Sequence, residues 1–130
     1  MSIETILKYK TIAVVGISDD PKRPSHFVAR FLEDHGYNIT PVNPKLTEWE
    51  GKKCYPDLTS IPVKIDIVDI FRRSEAIPPI VDEAITIKAK VVWMQEGIVN
   101  EEAAAKARAA GIEVVMDRCM KKEYVRYFTH

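Results

Sequence analysis

The sequence predicts an α/β fold: an open, doubly wound sheet of five parallel strands with helices on both faces. Three observations carry this. Short β-branched runs alternate with stretches of helical period. The runs are almost continuously apolar, as in a sheet covered on both sides. The 130 residues, 46% hydrophobic and 29% charged, suit one soluble domain spanning residues 1–130.

The elements follow in order. Ser2 is placed to cap a short helix with Ile3, Ile6 and Leu7 on one face. Thr11–Val15 is the first strand. Gly16–Ser25 is a polar loop holding two prolines, and Ser25 is the expected N-cap of a helix. Val28, Phe31 and Leu32 form its inward stripe together with Phe27, and Gly36 stops it. Asn38–Val42 is the second strand. Lys45–Pro62 reads as irregular. Lys64–Phe71 is the third strand. The next helix begins at Ser74 or Glu75, because Pro78 and Pro79 fit only a first turn. Val91–Met94 is the fourth strand. Asn100 caps the Ala-rich helix Glu101–Ala110, whose acidic residues lie at its positive end and which Gly111 stops. Glu113–Met116 is the fifth strand, and Met120–Phe128 is a closing helix.

This alternation implies right-handed crossovers and a Rossmann-like architecture. Ligands of such sheets bind beyond the C-terminal strand ends. The loops after Val15, Val42, Phe71 and Met94 are therefore the candidates. Formal net charge is zero, so no global field draws the chain to nucleic acid or to an anionic membrane. Any anion must be held locally. Residues 1–10 lack the apolar run of a signal peptide, and no run approaches a membrane span. The expectation is a cytoplasmic protein. Cys54 and Cys119 form no C-x-x-C pair and indicate neither disulfide nor zinc.

The first loop, between strand and helix, suits an anion: helix-start amides are free there, Gly16 permits close approach, and Ser18, Arg23 and Ser25 add donors. A solvated, capped loop would contain the same residues. A dinucleotide fingerprint would need G-x-G-x-x-G, and here Ser18 replaces the second glycine. After the second strand, Pro41-Val-Asn-Pro-Lys45 lacks the acid that NAD sites use and offers Lys45. A lysine attracts a ribose phosphate, which favours NADP or coenzyme A over NAD. Phe71-Arg-Arg73 offers a ring face and two guanidinium groups, suited to an adenine ring and phosphate, though Phe71 would equally suit the core and Arg73 solvent. Gln95 and Gly97 offer an amide and a close backbone approach.

Together these segments resemble the small bacterial and archaeal CoA-binding proteins, whose domain is related to the N-terminal domain of the succinyl-CoA synthetase α subunit. The resemblance rests on Ala13–Ser18, Pro21–Ser25, Gly36-Tyr37 leading into Pro41–Lys45, Asp66–Arg72, Val92–Ile98 and Met116–Cys119. It implies a Rossmann domain with coenzyme A as its small-molecule ligand. Gly16, Ile17, Ser18, Arg23 and Ser25 would lie around the pyrophosphate. Val42, Asn43, Pro44 and Lys45 would line the adenosine side, Phe71 and Arg72 would flank the adenine, and Gln95 and Gly97 would lie nearer the pantetheine.

The synthetase uses a phosphorylated histidine in a further domain. This sequence ends at His130, and neither His26 nor His35 has a nucleophile spaced beside it, so that reaction is not carried over. The expectation is a coenzyme A carrier or sensor without catalytic residues. The alternatives are an NADP-binding oxidoreductase-like protein and a subunit of an acyl-CoA ligase. No nucleic-acid motif and no metal cluster is evident. The sequence leaves association with further copies of the chain open. Cys119, beside Arg118, is expected to pack as a small hydrophobe, with a mixed disulfide to coenzyme A as the competing reading.

Overall fold

The computed structural model describes residues 1–129, and His130 lies outside them. Five strands, β1 (Thr11–Val15), β2 (Asn38–Val42), β5 (Ile67–Ile70), β6 (Val91–Met94) and β7 (Glu113–Val115), form one parallel sheet. Their order is β2-β1-β5-β6-β7. The chain therefore reverses its direction of travel between β1 and β5, which is the switch point of a doubly wound sheet in its flavodoxin-like order.

Side chains alternate along each strand and sort into two cores. Ile12, Val14, Ile67, Val91 and Trp93 face α1 (Ile3–Ile6), α2 (Pro24–Asp34) and α5 (Met120–Phe128). Ala13, Val15, Val68, Ile70, Val92 and Met94 face α3 (Ile77–Thr86) and α4 (Glu101–Ala109). No helix of the described residues is long and apolar enough to cross a membrane.

Several local expectations are met. The Ser2 hydroxyl accepts from the Thr5 amide at 3.1 Å, and Asn100 accepts from Ala103 at 2.9 Å. Pro78 and Pro79 occupy the first turn of α3, after a 3₁₀ turn at Ser74–Ala76.

Others are corrected. Helix α2 starts at Pro24, with Arg23 rather than Ser25 at its cap. In that phase Ser25, His26, Val28, Ala29 and Leu32 turn inward, and Phe27 is 43% exposed. Strand β5 is shorter than Lys64–Phe71: before it, the Asp66 amide bonds Thr11 and its carboxylate accepts from the Thr11 hydroxyl at 2.9 Å. Strand β7 stops at Val115. The segment read as irregular contains a hairpin, β3 (Glu48–Trp49) and β4 (Lys52–Lys53), turned by Glu50 and Gly51 at φ 48° and 78°. After it, Tyr55 bridges the outer edge of β2 at Val42.

Candidate functional site

A cleft of about 610 Å³ opens beyond the C-terminal ends of β1 and β5, where the sheet order reverses. Gly16, Ser18, Arg23, Pro24 and Ser25 line it from the first loop. Phe71, Arg72, Arg73, Ser74 and Glu75 line it from the loop after β5, and Gly97 and Ile98 from the turn after β6. Seven of the thirteen residues expected at the site are thus brought together: Gly16, Ser18, Arg23, Ser25, Phe71, Arg72 and Gly97.

Gly16 marks the closest convergence of the two strand ends. It has φ 86°, and a Cβ there would lie 2.6 Å from the Phe71 carbonyl oxygen and 2.8 Å from Arg72 Cδ. Only glycine allows the first loop to pass this close to the second.

The first loop is held by its own side chains. The Ser25 hydroxyl accepts from the Ser18 amide at 3.0 Å, and the Ser18 hydroxyl accepts from the Asp20 amide at 3.0 Å. Asp20 in turn accepts from the Lys22 amide at 3.0 Å. The amides of Ile17 and Asp19 have no partner among the described residues. Asp19 and Asp20 offset Lys22 and Arg23 within the loop. Net attraction for an anion must therefore come from free amides and from arginines reaching in from outside. Arg72 supplies one. Among the described residues neither Arg23 nor Arg72 enters an ion pair, whereas the exposed Arg73 lies 3.7 Å from Glu75.

The remaining six expected residues fall elsewhere. Val42 and Pro44 line a second cavity of about 120 Å³, with Val15, Gly16, Pro56, Asp57, Leu58, Arg72, Ile80 and Glu83. Gly16 and Arg72 border both cavities, so the expected adenosine side is a separate slot beside the main cleft, largely apolar and flanked by the Asp57 and Glu83 carboxylates. Lys45 is exposed and lines neither. Ile17 is buried in the core under α2. Asn43 donates to the Ile17 carbonyl at 2.8 Å and accepts from the Lys45 amide at 2.8 Å. Gln95 is turned inward: its amide donates to Asp69 at 2.6 Å, and its oxygen accepts from the Met120 amide at 3.4 Å.

Asp69 is fully buried on the strand face directed at α2 and α5. Burial pushes its carboxyl up to about 7, against the opposing effect of the Gln95 hydrogen bond. Its second oxygen has no partner among the described residues.

Both other histidines with sequence expectations are occupied. His26 is buried against Trp49, with Nε2 3.0 Å from Glu50. His35 Nδ1 lies 2.6 Å from the Phe31 carbonyl at the end of α2. Cys119 is half-buried at the start of α5 and packs against the core. Pro24, Ser74, Glu75 and Ile98 line the cleft without a sequence signal of ligand chemistry. Trp49 is buried and donates its indole N–H to the Ser18 carbonyl at 3.0 Å.

The sequence profile of a family described as a CoA binding domain matches residues 10–125. An uncharacterized protein of Bacillus subtilis, YneT, is 46% identical over 118 residues, covering 91% of this chain and 87% of that protein. The crystal structure of Prb, a protein redesigned for binding, superposes with a TM-score of 0.95 at 40% identity, over 100% of this chain and 94% of that one. The α subunit of an ADP-forming acetate–CoA ligase of Pyrococcus furiosus is 32% identical over 71% of this chain, which corresponds to 21% of that subunit. The chain thus spans about a fifth of that ligase subunit's length.

Proposed function

Because this chain belongs to the CoA-binding domain family, we propose that it holds coenzyme A in the cleft beyond β1 and β5 and serves as a carrier or sensor of that ligand. One observation supports this above the rest. Free loop amides and two arginines without an ion pair among the described residues meet at the switch point, with a largely apolar slot on one side and the Gly97–Ile98 turn on the other.

A coenzyme A molecule has that sequence of chemistries: a flat base, a pyrophosphate and an amide-bearing arm. The slot walled by Val15, Val42, Pro44, Pro56, Leu58 and Ile80, with Asp57 and Glu83 also in its lining and Arg72 at its mouth, would accept the adenine. Ser18, Arg23, Ser25 and the free amides hold the pyrophosphate. The pantetheine arm leaves past Ser74, Gly97 and Ile98. Lys45, exposed and next in sequence to Pro44 of the slot, would reach the ribose phosphate.

The cleft lining includes no histidine, cysteine or lysine. Its serines have no adjacent base beyond Glu75, itself drawn to Arg73. This supports binding over turnover.

Calorimetric titration with coenzyme A, dephospho-coenzyme A, NADP and NAD tests the reading. Coenzyme A should bind best, and dephospho-coenzyme A about three- to tenfold more weakly through loss of the Lys45 attraction. Tighter binding of NADP, or no binding of coenzyme A, would overturn it. The ligase relatives favour a second reading, a ligase subunit. ATP formation by the purified chain from acetyl-CoA, ADP and phosphate would move the assignment there; none is expected.

A further inference from the structure

The segment between β2 and β5 looks like filler in the sequence, yet it reaches the anion loop twice. Asn43 Nδ2 donates to the Ile17 carbonyl at 2.8 Å, and Trp49 Nε1 donates to the Ser18 carbonyl at 3.0 Å. Two successive carbonyls of the loop are thereby fastened to residues outside it. In a trans peptide the C=O and the following N–H point in opposite directions. Fixing the Ile17 carbonyl directs the Ser18 amide away from Asn43, and that amide meets the Ser25 hydroxyl at 3.0 Å. The Ser25 oxygen is then an acceptor already used, with its proton free to donate. Fixing the Ser18 carbonyl directs the Asp19 amide away from Trp49, and that amide has no partner among the described residues.

Resting on the coenzyme A reading above, we propose that Asn43 and Trp49 are positioning residues, which set the peptide planes of the Ile17–Asp19 loop so that the Ser25 hydroxyl proton and the Asp19 amide, rather than the loop carbonyls, meet the ligand's pyrophosphate.

The fastening points are themselves rigid. The Asn43 amide donates to the Tyr55 carbonyl at 2.9 Å, and Asn43 Oδ1 accepts from Lys45 at 2.8 Å. Trp49 is buried and sits in a hairpin tied to α2 by Glu50 to His26 at 3.0 Å and Lys52 to Glu33 at 2.7 Å. Lys52 also donates to the Ile39 carbonyl at 3.0 Å, anchoring the hairpin to β2. Without these bonds only the Ser25 hydroxyl, at the Ser18 amide, would hold these peptides from outside, and the Ser18–Asp19 peptide would be free to turn its carbonyl dipole toward an anion. The loop's two aspartates make that reversal costly to ligand binding.

The test is Trp49→Phe, which keeps a ring in the core and removes the donor. Calorimetry should show coenzyme A binding weakened about three- to tenfold, the worth of one oriented hydrogen bond. The ratio of coenzyme A to dephospho-coenzyme A affinity should stay constant, since Lys45 reads that end. In the unaltered protein the Asp19 amide resonance should move downfield on addition of coenzyme A, and in Trp49→Phe that movement should shrink. The proposal is overturned if the variant binds coenzyme A as tightly as wild type, if the ratio collapses with the affinity, or if the wild-type Asp19 resonance stays still. That last measurement needs no variant to fold. Failure of the wild type to bind coenzyme A at all would instead remove the reading on which the proposal rests.

Discussion

Gly16 carries two constraints at one Cα: a left-handed backbone and a neighbouring strand that leaves no room for a Cβ. Gly16→Ala should cost roughly 2–4 kcal/mol, from the strain at positive φ together with the overlap with the Phe71 carbonyl. A lower urea midpoint together with weaker coenzyme A binding would confirm this, and an unchanged midpoint would contradict it. Asp69 is the second residue with a measurable signature. Its carboxyl lies at about 7 in the folded chain, against 3.8 ordinarily. The folded state therefore binds a proton that the unfolded state releases. That contribution to stability is complete below about pH 4 and is lost as pH rises through 7, amounting to a few kcal/mol. Asp69→Asn keeps an acceptor for Gln95 and cannot titrate. Thermal unfolding of both proteins between pH 4 and 8 should show wild type losing stability relative to the variant across that window, and parallel curves would contradict the placement of Asp69.

At the scale of elements, the site depends on how turns are joined to helix starts. Asn100 caps α4 and also donates to the Ser74 carbonyl at 2.8 Å, tying the turn after β6 to the 3₁₀ turn after β5. Asn100→Ala should lower stability by about 1–2 kcal/mol through loss of the cap and the tie. It should also raise amide exchange at residues 74–76 more than in α2; equal exchange in both would contradict the tie. The strong elements were legible in the sequence because pattern and punctuation agreed. β1, β2, β6 and α5 begin and end where apolar period, Gly36 and the prolines place them. The hairpin was not legible. Its strands are two residues each, too short for any period to register, and its turn uses Glu50-Gly51 in place of the Asn-Gly or Asp-Gly that usually marks such turns. Phe27 was misread because the inward face of α2 is centred on Ser25, Ala29 and Leu32, and Phe27, two residues and about 200° of helix from Ser25 and from Ala29, falls on the far side. The Ser25 hydroxyl serves the loop.

For the whole molecule, the sheet order decides what the loops can do together. Placing β1 beside β5 brings Gly16 and Arg72 into contact and gathers seven of the expected site residues in one cleft. This much follows from alternation and handedness, which the sequence displays. The inward turn of Gln95 toward Asp69 does not follow, since it depends on a buried acid whose only donor among the described residues is that amide. With net charge zero, affinity for an anion has to be local to the cleft. The central claim is therefore one of place: coenzyme A sits across the C-terminal ends of β1 and β5. Mapping backbone amide resonances during titration with coenzyme A tests it most directly. The account expects saturable shifts at Gly16–Asp19, Arg23–Ser25, Phe71–Glu75 and Gly97–Ile98. Shifts confined to the opposite end of the sheet, around Lys88, Lys90 and Gly111, or none at millimolar ligand, would contradict it.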